Sequence, residues 1–203
     1  MKSTLFNMVA VLFTITLIAS AGVGAVNMIT EDAIAEANRQ ATVAAVANVL
    51  PAFEKSEMST MTIDEMPINI YTAVDGSGAV VGYAVETMTM SGFSGKVRMM
   101  VGFDAEGTIL NVNVLEQSET PGLGSKMCDE GNVLLASVQG KNPANLKLKV
   151  KKDGGDIDAL TAATISSRAY ADAVARAYEA FKVASGAQES TDGVSGATAT
   201  HEG

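Results

Sequence analysis

Lys96 to Glu116 reads "KVRMMVGFDAEGTILNVNVLE". Two runs rich in apolar and β-branched residues flank "DAEG", a turn by composition, so the stretch predicts a hairpin with strands over Lys96–Phe103 and Thr108–Glu116. Upstream, "INIYTAV" (Ile68–Val74) and "AVVGYAVETMTM" (Ala79–Met90) flank "DGSG" and predict a second hairpin. Two hairpins in succession call for an antiparallel sheet. "NLKLKVKK" (Asn145–Lys152) alternates Leu146, Leu148 and Val150 with lysines, the pattern of an edge strand guarded by outward lysines. "MSTMTIDEMP" (Met58–Pro67) is expected to be a loop.

Helical spacing brackets these strands. In "TEDAIAEANRQATVAAVANVLP" (Thr30–Pro51), Thr30 suits an N-cap and Pro51 a stop. Ile34, Ala37, Ala41, Ala45 and Val49 repeat at helical intervals. A short helix is expected over Asn132–Val138, closed by Gly140. "SSRAYADAVARAYEAF" (Ser166–Phe181) carries an apolar stripe of Tyr170, Val174, Ala177 and Phe181, with Ser166 or Ser167 as cap. The expected fold class is α+β, an antiparallel sheet with packed helices.

One transmembrane helix is expected ahead of this domain. No charge occurs between Lys2 and Glu31, and the apolar run Leu5–Val26 exceeds the roughly 20 residues that cross a bilayer. Lys2 on one side and Glu31 and Asp32 on the other predict a cytoplasmic N-terminus and an exported domain. "ASA" at Ala19–Ala21 leaves a cleaved signal peptide as the competing reading, and that too exports the domain. Residues 1–29 are thus read as an anchor, 30–183 as the folded domain and 184–203 as a disordered tail. The tail has Val194 as its sole large apolar residue.

Composition removes several function classes. The net charge of −9 argues against nucleic acid as a partner. One Cys and one His leave zinc and iron–sulfur sites almost without ligands. Cys128 is expected to be a small buried residue. No nucleophile or acid–base cluster is evident, so no catalytic residue is assigned.

Two loops remain. "DIDALTAATISS" (Asp156–Ser167) places Thr164 at an expected helix start, where unpaired N–H groups and the dipole favour a phosphate. Ala162 and Ala163 permit close approach, and Thr161, Ser166 and Ser167 add hydroxyls. A ligand-free cluster of cap residues explains the same spacing. "EQSETPGLGSKM" (Glu116–Met127) follows a strand, and its glycines permit close approach to a flat ligand; a rigid loop is the competing reading.

Taken together, "ETPGLG", the following lysine-rich segment and "DIDALTAATISSRA" resemble the FMN-binding domain of the Rnf electron-transport complex, carried by its G component. The C component of the sodium-pumping NADH:quinone reductase forms a related family. The resemblance covers nearly the whole chain. It implies FMN joined by a phosphoester to Thr164, with Asp158 as the acid a flavin transferase recognises and Thr161 and Ala163 as intervening motif positions. Glu119, Thr120, Leu123 and Gly124 would line the isoalloxazine. Ala162 departs from the family, where Gly is frequent. The implied role is an electron-carrying redox subunit of an ion-translocating ferredoxin:NAD⁺ oxidoreductase in the inner membrane. Its partners would be the other membrane subunits of the complex. An anchored flavin carrier for another reductase and a non-redox scaffold are the alternatives. The tail repeats the skeleton as "DGVSGAT" (Asp192–Thr198), which makes Thr198 a candidate second attachment site or a chance product of a Gly/Ser/Ala/Thr tail.

Overall fold

The structure, a computed structural model, describes residues 5–186. It divides into two compact units, residues up to Ala41 and residues from Thr42 onward. Helix α1 (Leu5–Val49) contributes to both. In the first unit α1 is the one helix among the described residues long and apolar enough to cross a membrane. The hydroxyls of Thr14 and Thr16 donate to the carbonyls of Ala10 and Leu12, which satisfies them without water. Thr30 caps nothing. It lies inside α1 and donates back to Val26 O at 2.9 Å. No Pro or Gly interrupts residues 26–49, so the apolar helix runs on into the polar one, and Pro51 follows its end.

The second unit is built on five antiparallel strands in the order β1-β2-β3-β4-β5. They are β1 (Lys55–Ile63), β2 (Met66–Val74), β3 (Val80–Gly92), β4 (Gly95–Phe103) and β5 (Ile109–Gln117). The four strands expected from sequence are β2 to β5. Residues 58–67 are not a loop. They carry most of β1 and the turn into β2, where Asp64 and Glu65 have φ of 48° and 63°. Two left-handed residues match the strand twist in a two-residue hairpin, although the usual Asn-Gly or Asp-Gly signature is missing. Arg176 reaches across to Asp64 at 2.6 Å and holds that turn.

Alternation decides which face packs on which helix. Ile68, Ile70, Val85, Val97, Met99, Val101 and Phe103 point to one face, against Ala169, Tyr170, Ala173, Val174, Ala177 and Phe181 of α3 (Thr164–Ala184). The alanines let α3 lie close to the sheet. On the other face, Ala73, Ala84 and Met100 meet Ala45, Val46, Val49 and Leu50 at the end of α1. Of the helical stripe read from sequence, Ala45 and Val49 are in this core while Ile34 stays exposed. Gly102 permits the approach, since a Cβ there would fall on Val49.

The lysine-rich segment is not an edge strand. After α2 (Val133–Val138), short 3-10 turns at Pro143–Asn145 and Lys151–Asp153 break it up, and Val150 makes a lone parallel bridge to Ile157. Its backbone is satisfied locally, with Lys151 N donating to Ile157 O and Ile157 N to Lys149 O. A closed loop therefore replaces a sheet edge.

Candidate functional site

Three segments converge at the start of α3. The first leaves β5 at Gln117. Gly122 turns left-handed at φ 76°, and Leu123 N donates to Thr120 O at 3.1 Å. A 3-10 turn over Gly124–Cys128 follows. Gly124 is pressed against α3, because a Cβ there would strike the Ser166 hydroxyl and the Glu119 side chain. The second segment is the β3–β4 turn, which lifts Phe93 to 65% exposure. The third is "TAAT" itself.

A cavity of about 340 Å³ lies between them, lined by Phe93, Thr120, Leu123, Gly124, Ala162, Ala163, Thr164, Ile165 and Ser166. Its volume is at the lower end of the range for small-molecule sites, on the order of 300–1,000 Å³. Among the described residues, none on the walls carries an ionisable side chain. Phe93, Leu123 and Ile165 offer apolar surface that no core covers. Thr120, Thr164 and Ser166 bring hydroxyls. At the back, the cap position of α3 is Ala163, with φ −133° and no side-chain capping bond. The first N–H groups of a 21-residue helix are thus left without a side-chain partner beside Thr164. Neither serine caps the helix as expected. The Ser166 hydroxyl donates to Glu119, and Ser167 donates to Ala163 O at 2.9 Å and accepts from Leu160 N. Both lie past the cap, inside the first turn, and their hydroxyls are taken up by Glu119 and by Ala163 O and Leu160 N.

The residues singled out in the sequence are placed as follows. Thr120, Leu123, Gly124, Ala163 and Thr164 are brought together on the wall. Thr161 is exposed beside the wall. Glu119 is not on the wall but behind it, 4% exposed, where it accepts from Ser94 N at 2.9 Å and from Ser166. Asp158 lies farther back along the loop. Its carboxylate pairs with Lys151 at 2.7 Å, and its backbone N–H donates to the Ser137 hydroxyl of α2 at 2.9 Å. The Lys151 hydrogen bond, followed by the charge of Lys151, a bond from Ser137 and the charge of Lys141, holds its carboxyl below the usual range. Thr198 lies outside the described residues.

Cys128 is exposed rather than buried, because Met127 takes the inward position at the end of the 3-10 turn. Partial desolvation, then the Asp129 charge, push its thiol up, which makes it a weak nucleophile. Phe93 and Ile165 were not singled out from sequence. The signal for Phe93 was present, since a large aromatic in "SGFSG" has no core within reach of a turn. Ile165 reads as one more apolar helix residue until the sheet shows which side of α3 is covered.

The FMN-binding domain family matches residues 92–179, a span that contains the whole cavity. The G component of the ion-translocating oxidoreductase complex of Shewanella amazonensis is 35% identical over 173 residues, which cover 79% of this chain and 80% of that protein. The G component of the Na⁺-translocating ferredoxin:NAD⁺ oxidoreductase complex of Acetobacterium woodii is 30% identical over 176 residues, 81% of this chain and 85% of that one. The crystal structure of Shewanella oneidensis NqrC aligns at a TM-score of 0.38 and 21% identity over 66% of this chain and 65% of that chain.

Proposed function

This chain belongs to the family formed by the G components of ion-translocating oxidoreductase complexes, and on that premise we propose that it carries electrons through an FMN joined by a phosphoester to the Thr164 hydroxyl. One observation carries the reading: Thr164, an uncapped helix start and an apolar rim share one cavity. The residues fit the group. The open N–H groups of α3 favour the negative charge of the bound phosphodiester. Ala163 and Gly124 leave room for it, and Phe93, Leu123 and Ile165 suit a flat tricyclic ring. FMN supplies the ability to take up and release electrons singly or in pairs. The chain's residues bind it, orient it and keep ionisable side chains off the walls, which suits a carrier rather than a self-contained catalyst.

The assembly follows from the same reading. Residues 1–29 anchor the protein in the inner membrane, residues 30–183 hold the flavin outside the cytoplasm, and the partners are the other membrane subunits of an Rnf-type complex. A flavin transferase loads the site and recognises Asp158, Thr161, Ala163 and Thr164. In the folded chain Asp158 is tied to Lys151 and Ser137, so loading before the loop closes favours recognition. The tail copy, with Asp192 and Thr198, is a candidate second acceptor that the same experiment decides.

Covalent flavin content tests this. The chain is coexpressed with a flavin transferase, denatured, imaged for flavin fluorescence and mapped by peptide mass spectrometry. Loss of all fluorescence in Thr164→Val is expected if the interior site is alone. Partial loss in each of Thr164→Val and Thr198→Val, with complete loss in the double variant, means two sites. A dark wild-type chain beside an active transferase overturns the reading.

A further inference from the structure

Among the described residues Glu119 is the one strongly buried carboxylate next to the cavity, and none of them places a cation against it. Among the described residues no lysine or arginine lies within ion-pair distance of it, whereas nearby Asp158 and Asp153 are paired with Lys151 and Arg168. Its hydrogen-bond donors are neutral. Ser94 N–H of the β3–β4 turn reaches Oε1 at 2.9 Å, and the Ser166 hydroxyl reaches Oε2. Two glycines are packed on the carboxylate, since a Cβ on Gly92 would lie 2.7 Å from Oε1 and one on Gly124 2.7 Å from Oε2. A 4% exposed side chain cannot rotate into water to relieve its charge.

The site therefore has a buried carboxyl group without a cationic partner one hydroxyl away from its wall. Ser166 lines the cavity, and its single proton is committed to Glu119. Toward the cavity it offers lone pairs only. Both features act in the same direction on an occupant that gains electrons. Coulomb repulsion grows as the occupant becomes more negative, and the low dielectric of a buried site preserves it. An acceptor facing the ring does nothing to stabilise added negative charge.

We propose that Glu119, acting through Ser166, is a positioning and tuning residue that holds the reduction potential of the bound flavin low. The inference rests on the flavin reading above. Glu119→Gln removes the charge at nearly constant shape. Its carbonyl still accepts from Ser94, and its amide donates to the Ser166 oxygen.

The experiment is a spectroelectrochemical titration of the flavinylated full chain in detergent, with thermal melts of the unflavinylated chains as a check on folding. Glu119→Gln is expected to raise the midpoint by a tenfold change in the one-electron equilibrium, about 59 mV. Glu119→Asp, which keeps the charge, returns the midpoint toward wild type, and Glu57→Gln on exposed β1 leaves it unchanged. A flavin-loaded Glu119→Gln chain with the wild-type midpoint overturns the proposal while leaving the flavin reading intact; a wild-type chain without flavin removes both. Should Glu119→Gln fail to fold, Ser166→Ala removes both the acceptor that faces the ring and the link to Glu119. Its midpoint is expected to rise, and an unchanged or lower midpoint overturns the proposal.

Discussion

Two helices in this domain begin in opposite ways. At α2, Asn132 closes the start: its side-chain oxygen accepts from the N–H groups of Leu134 and Leu135, both at 3.0 Å, and its amide donates to Met127 O and Asp129 O. At α3 the cap position is Ala163, which offers nothing. The Ser166 and Ser167 hydroxyls in its first turn point elsewhere, to Glu119 and to Ala163 O. The short helix is sealed and the long one, with the larger dipole, is left open onto a cavity. An unsatisfied helix start is a cost in a purely structural element, because N-cap side chains typically contribute about 1 kcal/mol. Its presence beside Thr164, and not at α2, is what a phosphate would relieve.

Filling the open start should have the largest effect. In Gly124→Ala the new methyl meets Ser166 and Glu119 at once, and all three sit in packed surroundings. Overpacking of this kind costs roughly 1–3 kcal/mol. A loss in that range is expected in urea unfolding, with reduced in-gel flavin fluorescence after coexpression with the transferase. Full fluorescence in this variant would mean that the space over Ser166 is not used.

Unsealing the closed start should cost less and leave the flavin alone. Asn132→Ala removes both capping bonds at α2 and frees two N–H groups, at about 1 kcal/mol. Unfolding monitored by circular dichroism is expected to show that loss, while flavin fluorescence stays at the wild-type level. If fluorescence falls as well, the two starts are coupled, and the route would be Ser137 of α2, which holds the backbone of Asp158.

This contrast also separates what the sequence disclosed from what it hid. The short helix α2 is legible, although its expected span counted Asn132 into the helix where the structure makes it the cap. The strands β2 to β5 are legible from alternation and Gly-containing turns. The hairpin of β1 was hidden since Asp64 and Glu65 adopt positive φ without Gly or Asn. The lysine-rich segment alternates like a strand, yet its partners are local, and alternation does not report partners. At the site, Thr164, Gly124 and Leu123 were singled out by the family resemblance, since spacing alone fits a ligand-free cap cluster and a rigid loop, and the structure puts all three on one cavity wall. The burial of Glu119 behind the wall was not legible, since a carboxylate in a Pro-Gly loop is normally solvated. Only the packing of Gly92 and Gly124 around it reveals the difference.

The smallest expected change lies next to the open start, at Ala162. Its φ is 58°, in the left-handed region. There a Cβ crowds the following carbonyl, at roughly 1–2 kcal/mol. Glycine avoids that crowding but loses more backbone entropy on folding, about 0.5–1 kcal/mol. The difference favours Ala162→Gly by about 0.75 kcal/mol at the middle of these ranges, a gain to be read from urea unfolding of the unflavinylated chain. Ala162 is exposed, so no packing is lost to offset it. The strain holds Ala163 and Thr164 at the entrance of α3, and the left-handed residue is what turns the chain from the Asp158 loop into the helix. A glycine there keeps the turn and relieves the strain. Unchanged or lower stability in Ala162→Gly would mean that position 162 leaves the left-handed region in solution, and the open start of α3 would then need a different entry.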